Sequence, residues 1–197
     1  MKILGGKYKG RNFYMPAGIR PTQNVLRAAI FDLLGHDLSG LTFLELFTGS
    51  GAVGLEAISR GADEVVMVEH NALNAKTIRE NGELLGIELG GNFSLIHADA
   101  FGSIKRLSEE KRQFDIVFID PPYGRKLAKK TLKLLDRSDI LHPQSLVLVQ
   151  LELSEKFEIP ENFTVFTQRR YGSSYLSVLQ RVVRDDKRAR GNLSRQF

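Results

Sequence analysis

From residue 41 onward, short unbroken apolar runs alternate with longer stretches in which apolar residues return every third or fourth position. The runs over residues 41–47, 64–69, 93–97, 114–119 and 145–151 are too short for buried helices, and they predict strands. Between them the helical spacing predicts a helix ending by Gly61, one over Ala72–Leu85, one near residues 101–110 and one near residues 126–135. A strand that is apolar on both faces must be covered on both, which a parallel sheet wrapped by its own crossover helices achieves. Residues 163–169 and 174–182, parted by Tyr171-Gly172, predict an antiparallel pair closing one edge. The expected fold is α/β and doubly wound: a mostly parallel seven-stranded sheet with helices on both faces.

Residues 1–39 follow another pattern. Apolar pieces around Ile3-Leu4 and residues 12–15 flank Gly5-Gly6 and Gly10 and predict a small hairpin. Thr22 is placed to cap a helix whose stripe is Val25, Leu26, Ala29, Ile30, Leu33 and Leu34, with Gly35 near its end. The chain thus divides into a hairpin-and-helix extension (1–39), an α/β domain (40–183) and a tail (184–197) with too little apolar content to pack, which is expected to be mobile.

Charge sharpens this division. The net charge is +5, but residues 1–31 carry six basic side chains and no acid, which leaves −1 for the other 166. A basic segment interleaved with Tyr8, Phe13 and Tyr14 suits a polyanion, because each neutralised phosphate releases counterions. The tail adds Arg184, Lys187, Arg188, Arg190 and Arg195 and is a second candidate for nucleic-acid contact. The chain has no cysteine, and His36, His70, His97 and His142 lack metal-ligand spacing, so no structural metal is expected. No apolar run approaches the ~18 residues of a membrane span, and the start lacks a signal-peptide core, so a cytoplasmic protein without membrane contact is expected. Heptads are absent and a monomer is expected.

The candidate chemistry sits at the ends of the first four strands. Glu45-Leu-Phe47-Thr-Gly49-Ser50-Gly51-Ala-Val-Gly54 fits a glycine-rich turn into a helix, where backbone approaches a nucleotide cofactor. Glu69, at the end of the second strand, is where a carboxylate would accept ribose hydroxyls, with His70 beside it. A dinucleotide enzyme fits these features equally well, but Glu45 would repel a pyrophosphate. S-Adenosylmethionine instead carries an ammonium and a sulfonium. Asp99-Ala100 follows the third strand, and Asp99 reads either as a helix N-cap or as an acceptor for the adenine amine. After the fourth strand comes Asp120-Pro121-Pro122-Tyr123. A carboxylate, proline-fixed carbonyls and an aromatic face together match the edge and plane of an amine-bearing ring.

These residues resemble one family. Ile3-Leu-Gly-Gly-Lys7-Tyr-Lys9-Gly-Arg11, Arg20-Pro-Thr22 followed by Arg27 and Phe31, Phe47-Thr-Gly-Ser-Gly51 with Gly54-Leu-Glu-Ala57, and Asp120-Pro-Pro-Tyr123 are similar to the bacterial small-subunit ribosomal RNA guanine-N2 methyltransferases of the RsmD type. The resemblance implies a Rossmann-like methyltransferase fold and S-adenosylmethionine as cofactor. It also implies methyl transfer to N2 of one guanine, position 966 of 16S rRNA in the usual numbering, within an assembling small subunit. Asp120, Pro121, Pro122 and Tyr123 would be catalytic. Glu45, Phe47, Gly49, Ser50, Gly51, Gly54, Glu69, His70, Asp99 and Ala100 would bind the cofactor, and Lys7, Lys9, Arg11, Arg20, Thr22 and Arg27 the RNA, with Lys7, Lys9, Arg11, Arg20 and Thr22 expected to grip phosphates beside the crevice. Glu45 stands where the family commonly has Asp and should reach the methionine end through a water. Val25 and Ala28 replace a basic residue and a Glu, so a contact there is not carried over. The same tetrapeptide serves enzymes of DNA adenine N6 and, as its Asn variant, of glutamine side chains. Those activities, a non-catalytic RNA-binding module and, more distantly, a nicotinamide-dependent oxidoreductase are the competing readings.

Overall fold

In the computed structural model the elements run α1 (Asn24–Leu34), β1 (Thr42–Leu46), α2 (Ala52–Ser59), β2 (Glu64–Glu69), α3 (Ala72–Leu85), β3 (Phe93–His97), α4 (Ala100–Glu109), β4 (Phe114–Ile119), α5 (Leu127–Asp136), β5 (Leu141–Glu152), β6 (Phe163–Tyr171) and β7 (Ser174–Arg181). The structure describes residues 1–16, 18, 24–122, 127–153 and 159–182; Arg20, the expected Thr22 cap, Tyr123 and the 184–197 tail lie outside them. One seven-stranded sheet has the order β3-β2-β1-β4-β5-β7-β6. β1 to β5 are parallel, and β7 inserts antiparallel between β5 and β6.

Alternating strand residues feed two cores. Phe43, Val65, Met67, Ile116, Phe118 and Leu148 face one side with α1, α2 and α3. Leu44, Val66, Val117, Ile119 and Val147 face the other with α4 and α5. Good caps fix two helix starts and so their aim: Asn71 Oδ1 accepts from Leu73 N–H (2.9 Å) and Asn74 N–H (3.2 Å), and Asp99 caps α4. Among the described residues no helix is long and apolar enough to cross a membrane.

The extension is part of this core. Lys2 and Asn12 form an antiparallel bridge, so the hairpin is present, and Ile3, Phe13, Leu26, Ile30, Phe31 and Leu38 pack in the first cluster. The α1 stripe differs from expectation: Val25 is 67% exposed, and Arg27 takes a place on the buried face between Leu26 and Ile30. The cause is Glu56, fully buried in α2. Its carboxylate accepts from the Leu4 N–H (2.8 Å) and Gly5 N–H (2.7 Å), pairs with Arg60 (3.0 Å), and lies 3.7 Å from Arg27 Nε. The other end of Arg27 donates to Lys2 O, and its guanidinium lies 5.8 Å from the Phe13 ring. Burial lowers the Arg27 pKa, which Glu56 opposes and Arg60 reinforces. Arg27 is thus a structural cation, and its expected RNA contact is withdrawn. We expect Glu56→Ala to cost about 3–5 kcal/mol in denaturant unfolding, since it strands buried cationic charge and two amide donors. A loss below about 1 kcal/mol would refute this role.

Candidate active-site crevice

Strand order reverses between β1 and β4, and an open α/β sheet leaves a crevice at the carboxyl ends of such strands. The loop after β1 turns there through three positive φ angles, at Phe47 (61°), Gly49 (59°) and Gly51 (76°). A bulky residue holds this conformation only when its surroundings enforce it. Here Thr48 N–H donates to Val68 O (3.1 Å), Thr48 Oγ1 to Glu45 O (3.2 Å), and the Phe47 ring meets Phe101 edge-on at 6.3 Å. The loop is thereby pinned to β2 and to the first turn of α4. Ser50 is buried within it, and Gly51 opens α2 as its left-handed N-cap.

Glu69 closes the loop from the next strand. Its Oε2 accepts from Gly49 N–H (2.7 Å) and its Oε1 from Asn71 N–H (2.7 Å), while His70 Nδ1 stands 3.3 Å away. Each carboxylate oxygen keeps a second lone-pair direction, so the group can also take hydroxyl donors.

Glu45 lies beneath, only 2% exposed, with Oε2 accepting from Gly54 N–H at 2.9 Å. A Cβ on Gly54 would collide with Met67 Cε and stand 2.7 Å from Glu45 Oε2. Gly54 therefore seats the carboxylate and lets α2 close on β2, and its expected ligand contact is corrected to this supporting role. Burial is the largest cause pushing the Glu45 carboxyl well above the usual range; the Gly54 bond opposes it, and negative Asp120 and Glu69 add to the rise. Three carboxylates thus feel one another in one crevice. A pyrophosphate would enter against repulsion, whereas a sulfonium or ammonium would relieve it, so the donor set fits a cationic cofactor.

A folded pKa raised above the unfolded one binds its extra proton in the native state. That contribution is complete below about pH 4.5, the unfolded value, and is lost as pH rises through the folded value. We expect thermal melts of the ligand-free protein to show this loss and Glu45→Gln to abolish it, with cofactor binding weakened about tenfold or more. In the wild type, cofactor affinity should rise with pH over the same window. An identical pH dependence of melting in wild type and Glu45→Gln would refute the assignment.

Asp99 resolves to the cap: Oδ1 accepts from Phe101 N–H (3.0 Å) and Gly102 N–H (2.9 Å). That oxygen is spent on α4, so the cap reading holds and a contact with the adenine amine would fall to Oδ2. Ala100, buried, starts the helix at the crevice. Asp120 is half-buried directly after β4, Pro121 is buried and Pro122 exposed. Sequence reasoning missed Phe101 as a crevice wall and Lys130, whose Nζ lies 4.1 Å from the Phe101 ring centroid. Helical spacing alone carries no sign that a lysine of α5 meets a ring of α4.

The basic hairpin is elsewhere. Lys7 N–H donates to Ser59 O and Tyr8 N–H to Ser59 Oγ, at the carboxyl end of α2, about 12 Å from the crevice given 1.5 Å per residue. Arg11 donates to Leu84 O and Leu85 O (both 2.9 Å), ending α3, and lies 5.8 Å from the Tyr8 ring. A position for Lys7, Lys9 and Arg11 beside the crevice is thus corrected: Lys7 and Lys9 are exposed at the opposite end, and Arg11 is engaged in capping α3. A cavity of about 600 Å³ under Lys7 and Tyr8, lined also by Asp63 and Glu88, belongs to that lower end.

Comparison with known proteins agrees with this geometry. Residues 1–180 match a family model described as "Conserved hypothetical protein 95". The chain is 31% identical to the ribosomal RNA small subunit methyltransferase D of Buchnera aphidicola over 85% of its own length and 86% of that protein. It is 30% identical to a putative rRNA methyltransferase of Bacillus subtilis over 82% and 86%. Among solved structures, the putative methyltransferase yhhF from Escherichia coli superposes with a TM-score of 0.78 at 29% identity, covering 92% of this chain and 97% of that one.

Proposed function

The chain belongs to the RsmD-type family of small-subunit ribosomal RNA methyltransferases, and from that premise we propose that it transfers a methyl group from S-adenosylmethionine to N2 of a guanine in small-subunit rRNA. The observation that carries this reading is the convergence of Glu45, Glu69 and Asp120 at the β1/β4 reversal, with Pro121-Pro122 following. By resemblance the guanine is position 966 of 16S rRNA, met in the cytoplasm on an assembling small subunit by a monomeric enzyme.

When bound, the cofactor supplies an electrophilic methyl group on a positively charged sulfur. Glu69 would accept its ribose hydroxyls, the Gly49–Gly51 loop would pass beneath it, and Glu45 would balance its charge. The guanine amine is a poor nucleophile, since its lone pair is delocalised into the ring. Asp120 and the Pro121 carbonyl would accept its two N–H bonds and turn the lone pair toward the methyl position. Holding reactants in line is worth up to roughly 7–11 kcal/mol, well above the 1–3 kcal/mol of base stacking expected from Tyr123. Positioning therefore carries most of the rate. As the nitrogen becomes cationic, Asp120 stabilises it and passes the surplus proton to water. Lys7 and Lys9, exposed on the N-terminal hairpin, would meet RNA phosphates, and by resemblance Arg20 and Thr22 would join them.

The test is a substrate panel. With methyl-labelled S-adenosylmethionine, small subunits from cells lacking the protein should acquire label in RNA, and duplex DNA and free protein should not. Label in DNA or protein would overturn the substrate class, and cofactor binding without transfer to any substrate would favour a non-catalytic module.

A further inference from the structure

The sheet ends on β6, and six of its nine residues are exposed, on both faces of the sheet. Its sequence, Phe163–Tyr171, contains no acid and places Arg169 and Arg170 together. Following the register across the sheet, Ile119 pairs with Val149, Val149 with Ser177, and Gln168 with Ser177. One step further, Arg169 is level with Asp120, and Arg170 with Pro121. Three strand spacings of about 4.8 Å separate them, roughly 14 Å in all. The two arginines therefore stand on the same rim as the amine-binding tetrapeptide, within reach of nucleotides flanking one held there.

Three further features suit this position to a polyanion. Arg170 Nε donates to Gly172 O (3.1 Å), which holds its guanidinium at the rim beside the hairpin turn. The register shifts between Val165 and Thr167, so Phe166 is the extra residue of a bulge, and its ring is 69% exposed. Arg169 pairs with Leu176, which packs in the core cluster of α1, so it faces the side that carries the N-terminal extension. A bulge and neighbouring like charges discourage a second copy from pairing on this edge. A flexible single strand of nucleic acid tolerates both, through phosphates on the arginines and a base on the exposed ring.

We propose that β6 is an RNA-binding edge, with Arg169 and Arg170 holding phosphates next to the methylated guanine and Phe166 stacking a flanking base. This rests on the RNA reading above. The Arg169→Glu/Arg170→Glu double variant and the Phe166→Ala variant would be assayed on small subunits beside wild type, with cofactor Kd, melting temperature and solution mass measured for each. The double variant should raise KM for subunits about tenfold at unchanged cofactor Kd and melting temperature, and reduce the salt slope of binding by about 1.4, the share of two single-strand phosphates. Phe166→Ala should raise KM a few-fold with the salt slope unchanged. An active wild type with an unaltered double variant would overturn the β6 proposal alone; a wild-type dimer dissolved by the double variant would replace it with an interface between copies. A wild type that methylates no RNA would overturn the functional reading itself.

Discussion

Asp120→Ala should lower methyl transfer to small subunits by about 10²–10³-fold while leaving cofactor Kd within a few-fold of wild type. Asp120 follows β4 directly and lies close enough to Glu45 for their charges to interact, so its carboxylate is delivered to the crevice by the sheet and not by a mobile loop. Alanine leaves the strand intact but removes one of two acceptors for the amine and the group that stabilises the cationic nitrogen. The loss should fall on kcat, because orientation of the lone pair matters most when the new bond is forming. Asp120→Asn separates the two contributions: it keeps an acceptor oxygen and loses the charge, so activity between wild type and alanine is expected. Full activity in Asp120→Ala would remove the group from the chemistry.

Glu69→Ala should have the largest effect on the cofactor, weakening binding about 100-fold and lowering stability by about 1–3 kcal/mol. Both effects follow from one carboxylate holding two backbone donors, Gly49 N–H and Asn71 N–H, at 2.7 Å each. The first fixes the glycine loop under the cofactor, the second the start of α3. Alanine strands both donors and deletes the acceptors for the ribose. Glu69→Gln keeps one acceptor and should recover part of the stability but little of the affinity. Equilibrium dialysis with labelled cofactor suits the measurement, since the chain has no tryptophan to report binding. Unchanged affinity in Glu69→Ala would place the ribose elsewhere.

What the sequence disclosed and what it hid divide along one line. β2, α3, β3 and β4 begin and end where the local pattern puts them, because a strand apolar on both faces and a helix with its own cap are decided within a few residues. The carboxylates at strand ends were legible for the same reason: the fold class fixes which end of a parallel strand faces the crevice. The structural role of Arg27 is hidden because its partner, Glu56, lies on another element, and an arginine on a helix gives no sign of a buried acid waiting for it. The end of the domain that carries Lys7 and Lys9 is not legible, because the hairpin docks through bonds from its backbone to Ser59, contacts that side-chain chemistry does not announce. Asp99 carried both meanings locally, and only the cap geometry chose between them.

The atom that receives the methyl group tests the Asp120–Pro121 cradle most directly. Small subunits from cells lacking the protein would be incubated with it and methyl-labelled S-adenosylmethionine, the RNA digested, and the labelled nucleoside identified. N2-methylguanosine at a single position, absent with Asp120→Ala, is the expected result. Label on adenine N6, on a ring atom or on a ribosomal protein would contradict an Asp120–Pro121 cradle for the guanine amine.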